Sequence, residues 1–275
     1  MKRIVSICPS NTELLYFLGI KDWIVGVDNY SDWPIEMSHL PQVGPDLHID
    51  IEKVKSLEPD MVVASLSVPG MEKNIDRLEK EKIPYIILNP KTLSQITDDF
   101  RTLGRLFHIE TQAEQVVQQY NKKLNWIQQR IPSVGSPRRL YWEWWPKPVF
   151  TPGQRNWLTE MSRFVKAVNI FEDIDNDSFQ TDWIEVAQRH PELILIVWTG
   201  VPIHRVKKEL ILSREAWKGE PFFREDRIHI LEEGWFCRPS PRLLTGIEYL
   251  AHLLYPDRFT TPNPDAPFYI PLSSE

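Results

Sequence analysis

The sequence predicts an α/β protein of two similar lobes, each built on a parallel sheet, joined by one long helix. Three observations predict it. Short apolar runs alternate with amphipathic stretches over the first third of the chain, and again beyond residue 137. Between these blocks the strands stop, and residues 111–131 carry a single apolar stripe at helical spacing. Finally, the unit Asp50-Ile-Glu-Lys-Val-Lys-Ser-Leu-Glu-Pro59-Asp-Met-Val-Val63 recurs without a gap as Asp182-Trp-Ile-Glu-Val-Ala-Gln-Arg-His-Pro191-Glu-Leu-Ile-Leu195.

The elements follow in order. Ile4–Cys8 reads as the first strand. Ser10-Asn11-Thr12-Glu13 has the spacing of a capping box and predicts a helix through Leu14, Leu15 and Leu18 that stops at Gly19. Ile24–Val27 is the next strand, Asp50–Leu57 a helix, Met61–Ala64 a buried strand, Lys73–Lys82 a helix and Tyr85–Leu88 a strand. Strands separated by helices pair in parallel, because the crossover returns the chain to the same edge. Val116, Val117, Tyr120, Leu124, Ile127 and Ile131 form the stripe of the linking helix. Such a helix spans about 30 Å, and it ends at the linker Pro132–Pro137. The second block reads as strand Leu140–Trp144, helices Asn156–Lys166 and Asp182–Arg189, strands Leu193–Val197 and Ile228–Leu231, and helix Pro241–Leu254. In the recurring unit an acidic N-cap opens a short helix, a proline stops it, and a buried strand follows. Four prolines from Thr261 onward predict an extended or disordered tail. The predicted organisation is therefore an N-terminal lobe over 1–110, the linking helix 111–131, a C-terminal lobe over 137–258 and a tail over 259–275.

Composition removes several function classes. The 275 residues carry 32 basic against 38 acidic side chains, a net charge of −6, so the basic footprint of a nucleic-acid binder is missing. No apolar run approaches the roughly 20 residues of a membrane helix. Two cysteines make no disulfide framework. The seven histidines show no metal-ligand spacing, and there is no Gly-x-Ser-x-Gly elbow, P-loop or Gly-x-Gly-x-x-Gly turn. Neither a catalytic nor a metal site is predicted, and a monomer is expected. Met1-Lys2-Arg3 leads straight into the first strand without the apolar core of a secretion leader. The expectation is a cytoplasmic protein for the chain as it stands, or an extracytoplasmic one if a leader has been removed.

What stands out is aromatic content, 11 tryptophans. Ligands of open parallel sheets bind beyond the carboxyl ends of the strands, so two facing lobes predict a cleft lined by those loops. The loops are Pro9-Ser10-Asn11, Asn29–Pro34, Trp144–Pro148, Thr199-Gly200-Val201 and Gly234–Pro239. They offer aromatic, proline and small polar residues with few charges, which suits a large, flat, apolar ligand. An aromatic in a periodic element more often belongs to the core; Tyr30, Trp33, Trp235 and Phe236 lie in proline-bounded loops instead. Trp142, Trp144, Trp145 and Trp198 join them as cleft candidates. Trp23, Trp157 and Trp217 read as structural, Trp126 falls on the linking helix and Trp183 on the helix Asp182–Arg189. Cys8 and Cys237 fall in predicted cleft loops, either as small apolar residues or as thiols acting near a metal-centred ligand or in a closure-dependent disulfide.

Several segments carry a family resemblance. Arg3-Ile-Val-Ser-Ile-Cys-Pro-Ser-Asn-Thr-Glu13, Val25-Gly-Val-Asp-Asn-Tyr-Ser-Asp-Trp-Pro34, Asp50-Ile-Glu52 with Pro59-Asp60-Met-Val-Val63, Asn169-Ile-Phe171, Trp235-Phe236 and Ser240-Pro-Arg242 resemble the cobalamin-binding members of the helical-backbone substrate-binding proteins of ABC importers. The resemblance covers about residues 3–255. It implies two Rossmann-like lobes bridged by one helix, a corrin packed in the cleft by aromatics, no cofactor other than that ligand, and no catalysis. By position it puts Pro9, Tyr30 and Trp235 against the ligand and Phe150 at a further contact, with Phe236 and Arg242 close by. Trp33, Trp144, Trp145 and Trp198 complete the predicted set. Where the family has a tryptophan after its third strand, this chain has Ser65 or Leu66. The resemblance also implies docking on an ABC permease through a glutamate on each lobe. Glu52 fits the first, while the repeat puts Ile184 at the second, with Glu185 one residue along and Asp182 at the cap. Three alternatives remain: a haem or ferric-siderophore binder of the same fold, a cytosolic corrinoid storage or sensing protein, and a tetrapyrrole metal chelatase-like enzyme. The last needs a histidine paired with a carboxylate in the cleft, which the loops do not offer.

Overall fold

A computed structural model describes residues 2–271. The chain divides into two units, Met1–Pro90 with Ser94–Gln119, and Lys91–Leu93 with Tyr120–Glu275. In the first, β1 (Ile4–Ser6), β2 (Ile24–Val27), β3 (Met61–Ser65) and β4 (Tyr85–Leu88) pair in parallel in the order β2-β1-β3-β4. Their apolar side chains Val5, Val62 and Ala64 pack with Val54, Ile75 and Leu78 of the covering helices. These are α1 (Pro9–Phe17), α2 (Ile51–Ser56) and α3 (Glu72–Lys80), followed by α4 (Leu93–Phe107) and α5 (Glu110–Arg130). Helix α5 is the expected long helix, and the boundary between the units falls within it, after Gln119.

The start of α1 differs from the capping-box expectation. Cys8 is the N-cap and makes no side-chain cap bond, while Pro9 occupies the first turn. Proline fixes φ and lacks the N–H that would be orphaned there, so the helix begins earlier. Ser10, Asn11, Thr12 and Glu13 are consequently buried inside it. Gly19, at φ +71°, still ends it, as a residue without Cβ can. The cap of α2 is as expected, with Asp50 Oδ1 accepting from the Glu52 and Lys53 amides at 3.2 Å each.

The second unit repeats the plan and adds to it. β5 (Arg138–Glu143), β8 (Ala167–Asn169), β10 (Leu193–Ile196) and β11 (Ile228–Ile230) pair in parallel in the order β8-β5-β10-β11. Numbered within its own unit, that is the strand order of the first sheet. Helices α6 (Trp157–Phe164), α7 (Trp183–Gln188), α8 (Lys208–Leu212), α9 (Glu233–Phe236) and α10 (Leu243–Leu254) accompany it. The addition is an antiparallel sheet of β6 (Trp145–Pro146), β7 (Val149–Pro152) and β9 (Ser178–Thr181). The sequence reading missed it. Its strands are short, and prolines at 146, 148 and 152 read as loop, although edge and terminal strand positions tolerate them. Likewise Gly234–Pro239, expected as a loop, begins inside α9.

The tail follows α10 as an irregular strap within the second unit. Phe259 meets the Trp126 ring edge-on at 6.1 Å, and Lys123 donates to the Tyr269 carbonyl at 2.5 Å. Lys123 also pairs with Glu248 at 2.7 Å, both buried; burial lowers the lysine pKa and raises that of the glutamate. The last residues of the predicted tail, 272–275, lie outside the described residues. No described helix is long and apolar enough to cross a membrane.

Candidate functional site

Parallel pairing puts all four carboxyl ends of each sheet on one edge, so each lobe presents one set of loops there. In the N-terminal lobe the loop after β2 is held by Asp28. Its fully buried carboxylate accepts from the Tyr30 amide at 2.7 Å and the Ser31 hydroxyl at 2.6 Å. Ser31 and Thr12 hydroxyls lie 2.7 Å apart, and Asn11 donates to the Ala64 carbonyl at 2.8 Å. This network fixes the loop while leaving Tyr30 47% exposed at its tip. Pro9 is buried in the first turn of α1, and Trp33 is half-buried. Trp33 stacks on Phe17 at 5.3 Å and meets Tyr16 edge-on at 5.3 Å. One face of Trp33 therefore serves the packing of α1, which its proline-bounded sequence did not reveal. After β4, Asn89 has a buried Oδ1 with no hydrogen-bond partner. Sequence reading overlooked Asn89, although its place directly after a strand was the available signal.

The C-terminal edge is aromatic. Trp144 follows β5 and leans on Trp157 at 5.6 Å, while the Trp157 indole donates to the Phe236 carbonyl at 2.7 Å. The β6–β7 register sets Trp145 opposite Phe150. Paired residues project to the same side of a sheet, and Trp145 is 41% exposed. Trp235, half-buried on α9, meets Tyr249 edge-on at 5.8 Å. The close seat of α9 on α10 requires Gly246, where a Cβ would come within 2.2 Å of the Trp235 carbonyl oxygen.

Three predicted contacts need correction. Phe236 is wholly buried against Trp142, so it supplies packing and no ring face. Trp198 is only 8% exposed, and its indole donates to Glu143 at 3.0 Å. Arg242 is 7% exposed with its guanidinium pressed against Gly234. Trp142, also a cleft candidate, is fully buried and donates to Ser162 at 2.9 Å. Trp142 and Trp198 stand at or just beyond strand ends, whereas Phe236 and Arg242 are covered where α9 packs on the start of α10.

Two of the cations near these edges are matched by carboxylates. Arg238 pairs with Glu233 at 3.0 Å, both nearly buried, and Lys91 pairs with Asp177 at 3.0 Å. Burial and the Asp28 charge push the Cys8 thiol up to about 11, and burial and Glu233 raise Cys237 well above its ordinary value. The shift favours the neutral thiol at both positions, in keeping with the reading of the two as small apolar residues. Among the described residues no group of three or more His, Cys, Asp or Glu side chains is placed to hold a metal. A cavity of about 630 Å³ opens between the β2 loop at Asn29 and helices α2 and α3, lined by His48, Asp50, Lys53, Arg77 and Lys80 among others.

The predicted docking residues sit in different surroundings. Glu52 leaves 75% of its side chain exposed, with Lys55 at 3.3 Å. Asp182 caps α7, accepting from the Ile184 and Glu185 amides at 2.8 Å each. Glu185 pairs with Arg189 at 3.2 Å and accepts from the Thr181 hydroxyl at 2.7 Å. The residue that matches Glu52 in place is Ile184, 62% exposed.

Comparison with known proteins agrees with this architecture. Residues 4–233 match the periplasmic binding protein family. An uncharacterized ABC transporter substrate-binding lipoprotein of Bacillus subtilis is 29% identical over 94% of this chain and 81% of its own length. The crystal structure of the periplasmic vitamin B12 binding protein of Vibrio cholerae superimposes with a TM-score of 0.76 at 25% identity, covering 92% of this chain and 96% of that one. A periplasmic heme-binding protein from Roseiflexus sp. RS-1 shares the fold, with a TM-score of 0.80 at 19% identity over 93% of this chain and 98% of that one. The chain belongs to the periplasmic binding protein family and is a substrate-binding protein rather than an enzyme.

Proposed function

We propose that this protein is the substrate-binding component of an ABC importer and that its substrate is cobalamin or a related corrinoid. The observation that carries this reading is the pairing of exposed rings with matched charges on the carboxyl edges. Tyr30 in one lobe and Trp145 in the other present ring area, while Arg238 and Lys91 are engaged by carboxylates. A corrin ring with amide side chains gains from broad aromatic contact and asks for no free cation. An anionic siderophore would find Arg238 and Lys91 already engaged by carboxylates, with Lys147 as the exposed cation of the Trp144–Pro148 loop. The similarity to the Vibrio cholerae protein supports the same ligand class.

Haem is the second reading, favoured by the exposed Tyr30, since a tyrosine phenolate is one of the axial ligands of haem iron. Docking on a permease belongs to the proposal too, with Glu52 offering a charged contact and Ile184 an apolar one at the matching place on α7. Tryptophan-fluorescence titration with cobalamin, cobinamide, haemin and a ferric siderophore tests the ligand. Saturable quenching by the two corrinoids is expected. Quenching by haemin alone would move the assignment to haem, and quenching by none would end both readings.

A further inference from the structure

The C-terminal lobe buries one ion pair whose neighbours reach two different surfaces. Glu143, the last residue of β5, is wholly buried, and the Arg214 side chain is 2% exposed. The guanidinium meets the carboxylate as a fork, Nη1 to Oε2 at 2.7 Å and Nη2 to Oε1 at 2.6 Å. Oε1 also accepts from the Trp198 indole at 3.0 Å, and Oε2 from the Tyr141 hydroxyl at 2.9 Å. Arg214 Nε has no acceptor. Instead the guanidinium carbon lies 4.4 Å from the Trp183 ring and 4.6 Å from the Trp217 ring. The Trp217 indole in turn donates to the Trp183 carbonyl at 2.8 Å.

The places these residues occupy give the pair its meaning. Glu143 precedes Trp144, and Trp198 precedes the loop Thr199-Gly200-Val201, so both stand at the carboxyl edge. Trp183 is the first residue of α7, beside the exposed Ile184. Arg214 itself belongs to residues 197–227, a stretch with no strand and only short helices to hold it. As a source of stability the arrangement is poor, because desolvating two charges costs about as much as their attraction returns. What it supplies is direction. A planar guanidinium can serve both carboxylate oxygens while its faces stack on rings, and an ammonium group cannot do both.

We propose that Arg214 is a positioning residue that sets two surfaces at once. Through Glu143 it orients Trp198 and the loop that follows on the ligand edge, and through Trp183 it orients the start of α7. The ligand half of this inference rests on the reading that the carboxyl edge receives the substrate.

Two variants test it, Arg214→Lys and the paired apolar replacement Glu143→Leu with Arg214→Met. Amide hydrogen exchange of the ligand-free proteins is read at residues 183–188 and 197–213, alongside thermal melting and cobalamin titration. The paired variant is expected to stay folded but to melt on the order of 5–15 °C below the unmodified protein, because replacing both charges costs little in itself while the Tyr141 hydroxyl and the Trp198 indole lose their acceptor. Both segments should nonetheless exchange at least tenfold faster, and together, with the first sheet unchanged. Arg214→Lys should show the same loosening although its charge is kept, and both variants should bind cobalamin at least tenfold more weakly. Unchanged exchange in either segment would overturn the proposal. So would global loss of protection in both variants, which would make the pair a general support of the fold. An unchanged dissociation constant in variants of a protein that binds cobalamin would remove the ligand half. If the unmodified protein binds no corrinoid, the functional reading fails, and the exchange data still decide the role of Arg214.

Discussion

Helices α2 and α7 are one device used twice, yet they present different chemistry. Each opens on an aspartate that accepts from two amides, and each feeds the third strand of a sheet with the same order. The matching outward residue is Glu52 in one and Ile184 in the other. The same contrast runs through the lobes. The N-terminal edge is tied by short hydrogen bonds from Asp28, Ser31 and Thr12. The C-terminal edge is tied by an ion pair and by rings. Of the 11 tryptophans only Trp23 and Trp33 belong to the N-terminal unit. The lesson is that short loops leaving a sheet can be fixed by small polar groups on the loop itself and on the adjoining helix. A long stretch such as 197–227, without strand pairing, needs large side chains that reach other elements.

The widest expected gap between the lobes lies in their buried carboxylates. Glu143→Ala leaves Arg214 buried without its partner and should cost about 3–5 kcal/mol. Asp28→Asn, its N-terminal counterpart, should cost about 1–3 kcal/mol, since the shape stays and one acceptor is lost. Urea denaturation of both variants checks this, and equal losses would break the contrast.

Ligand contact should be shared more evenly. Trp145→Ala and Tyr30→Ala are each expected to weaken corrinoid binding by about 1–3 kcal/mol, the worth of a ring packed on apolar surface. Calorimetric titration would show whether one lobe carries the affinity alone. For the caps the lobes should be alike. Asp50→Ala and Asp182→Ala should each lose about 1 kcal/mol of stability, and a clear difference in denaturation midpoints would show that the repeat is not equivalent in energy.

A further effect is specific to pH. In α4, burial pushes Asp99 up to about 7, helped by the charge of Asp98, against about 4 in an unfolded chain. The folded state thus holds this proton more tightly. The resulting stabilisation is complete below about pH 4 and is lost as pH rises through about 7. Asp99→Asn should raise the melting temperature at pH 8 and leave it unchanged at pH 4, which thermal melting at the two values would reveal.

Much of the fold was legible because its signals are local. The stripe from Val116 to Ile131, the aspartate caps and the recurring helix–proline–strand unit each lie within a few turns of chain. The start of α1 was misread where two local signals competed, and Pro9 prevailed over the capping box. The β6–β7–β9 sheet was unreadable because its strands are too short to show a period. For the site, the sequence marked the right loops but could not rank the rings on them. Tyr30 and Trp145 are exposed, while Trp198 and Phe236 are not, although the sequence assigns all four to the loops beyond strands.

By itself, the sequence determined two parallel sheets, the helix that runs from one to the other, and an aromatic rather than charged set of loops, since pattern and composition need no knowledge of neighbours. Only the tertiary structure decided which of those rings keeps a face free and that Arg214 stands between Glu143, Trp183 and Trp217. Exposure and ion pairing depend on groups brought together from as far as 71 residues apart, and no local pattern records that meeting.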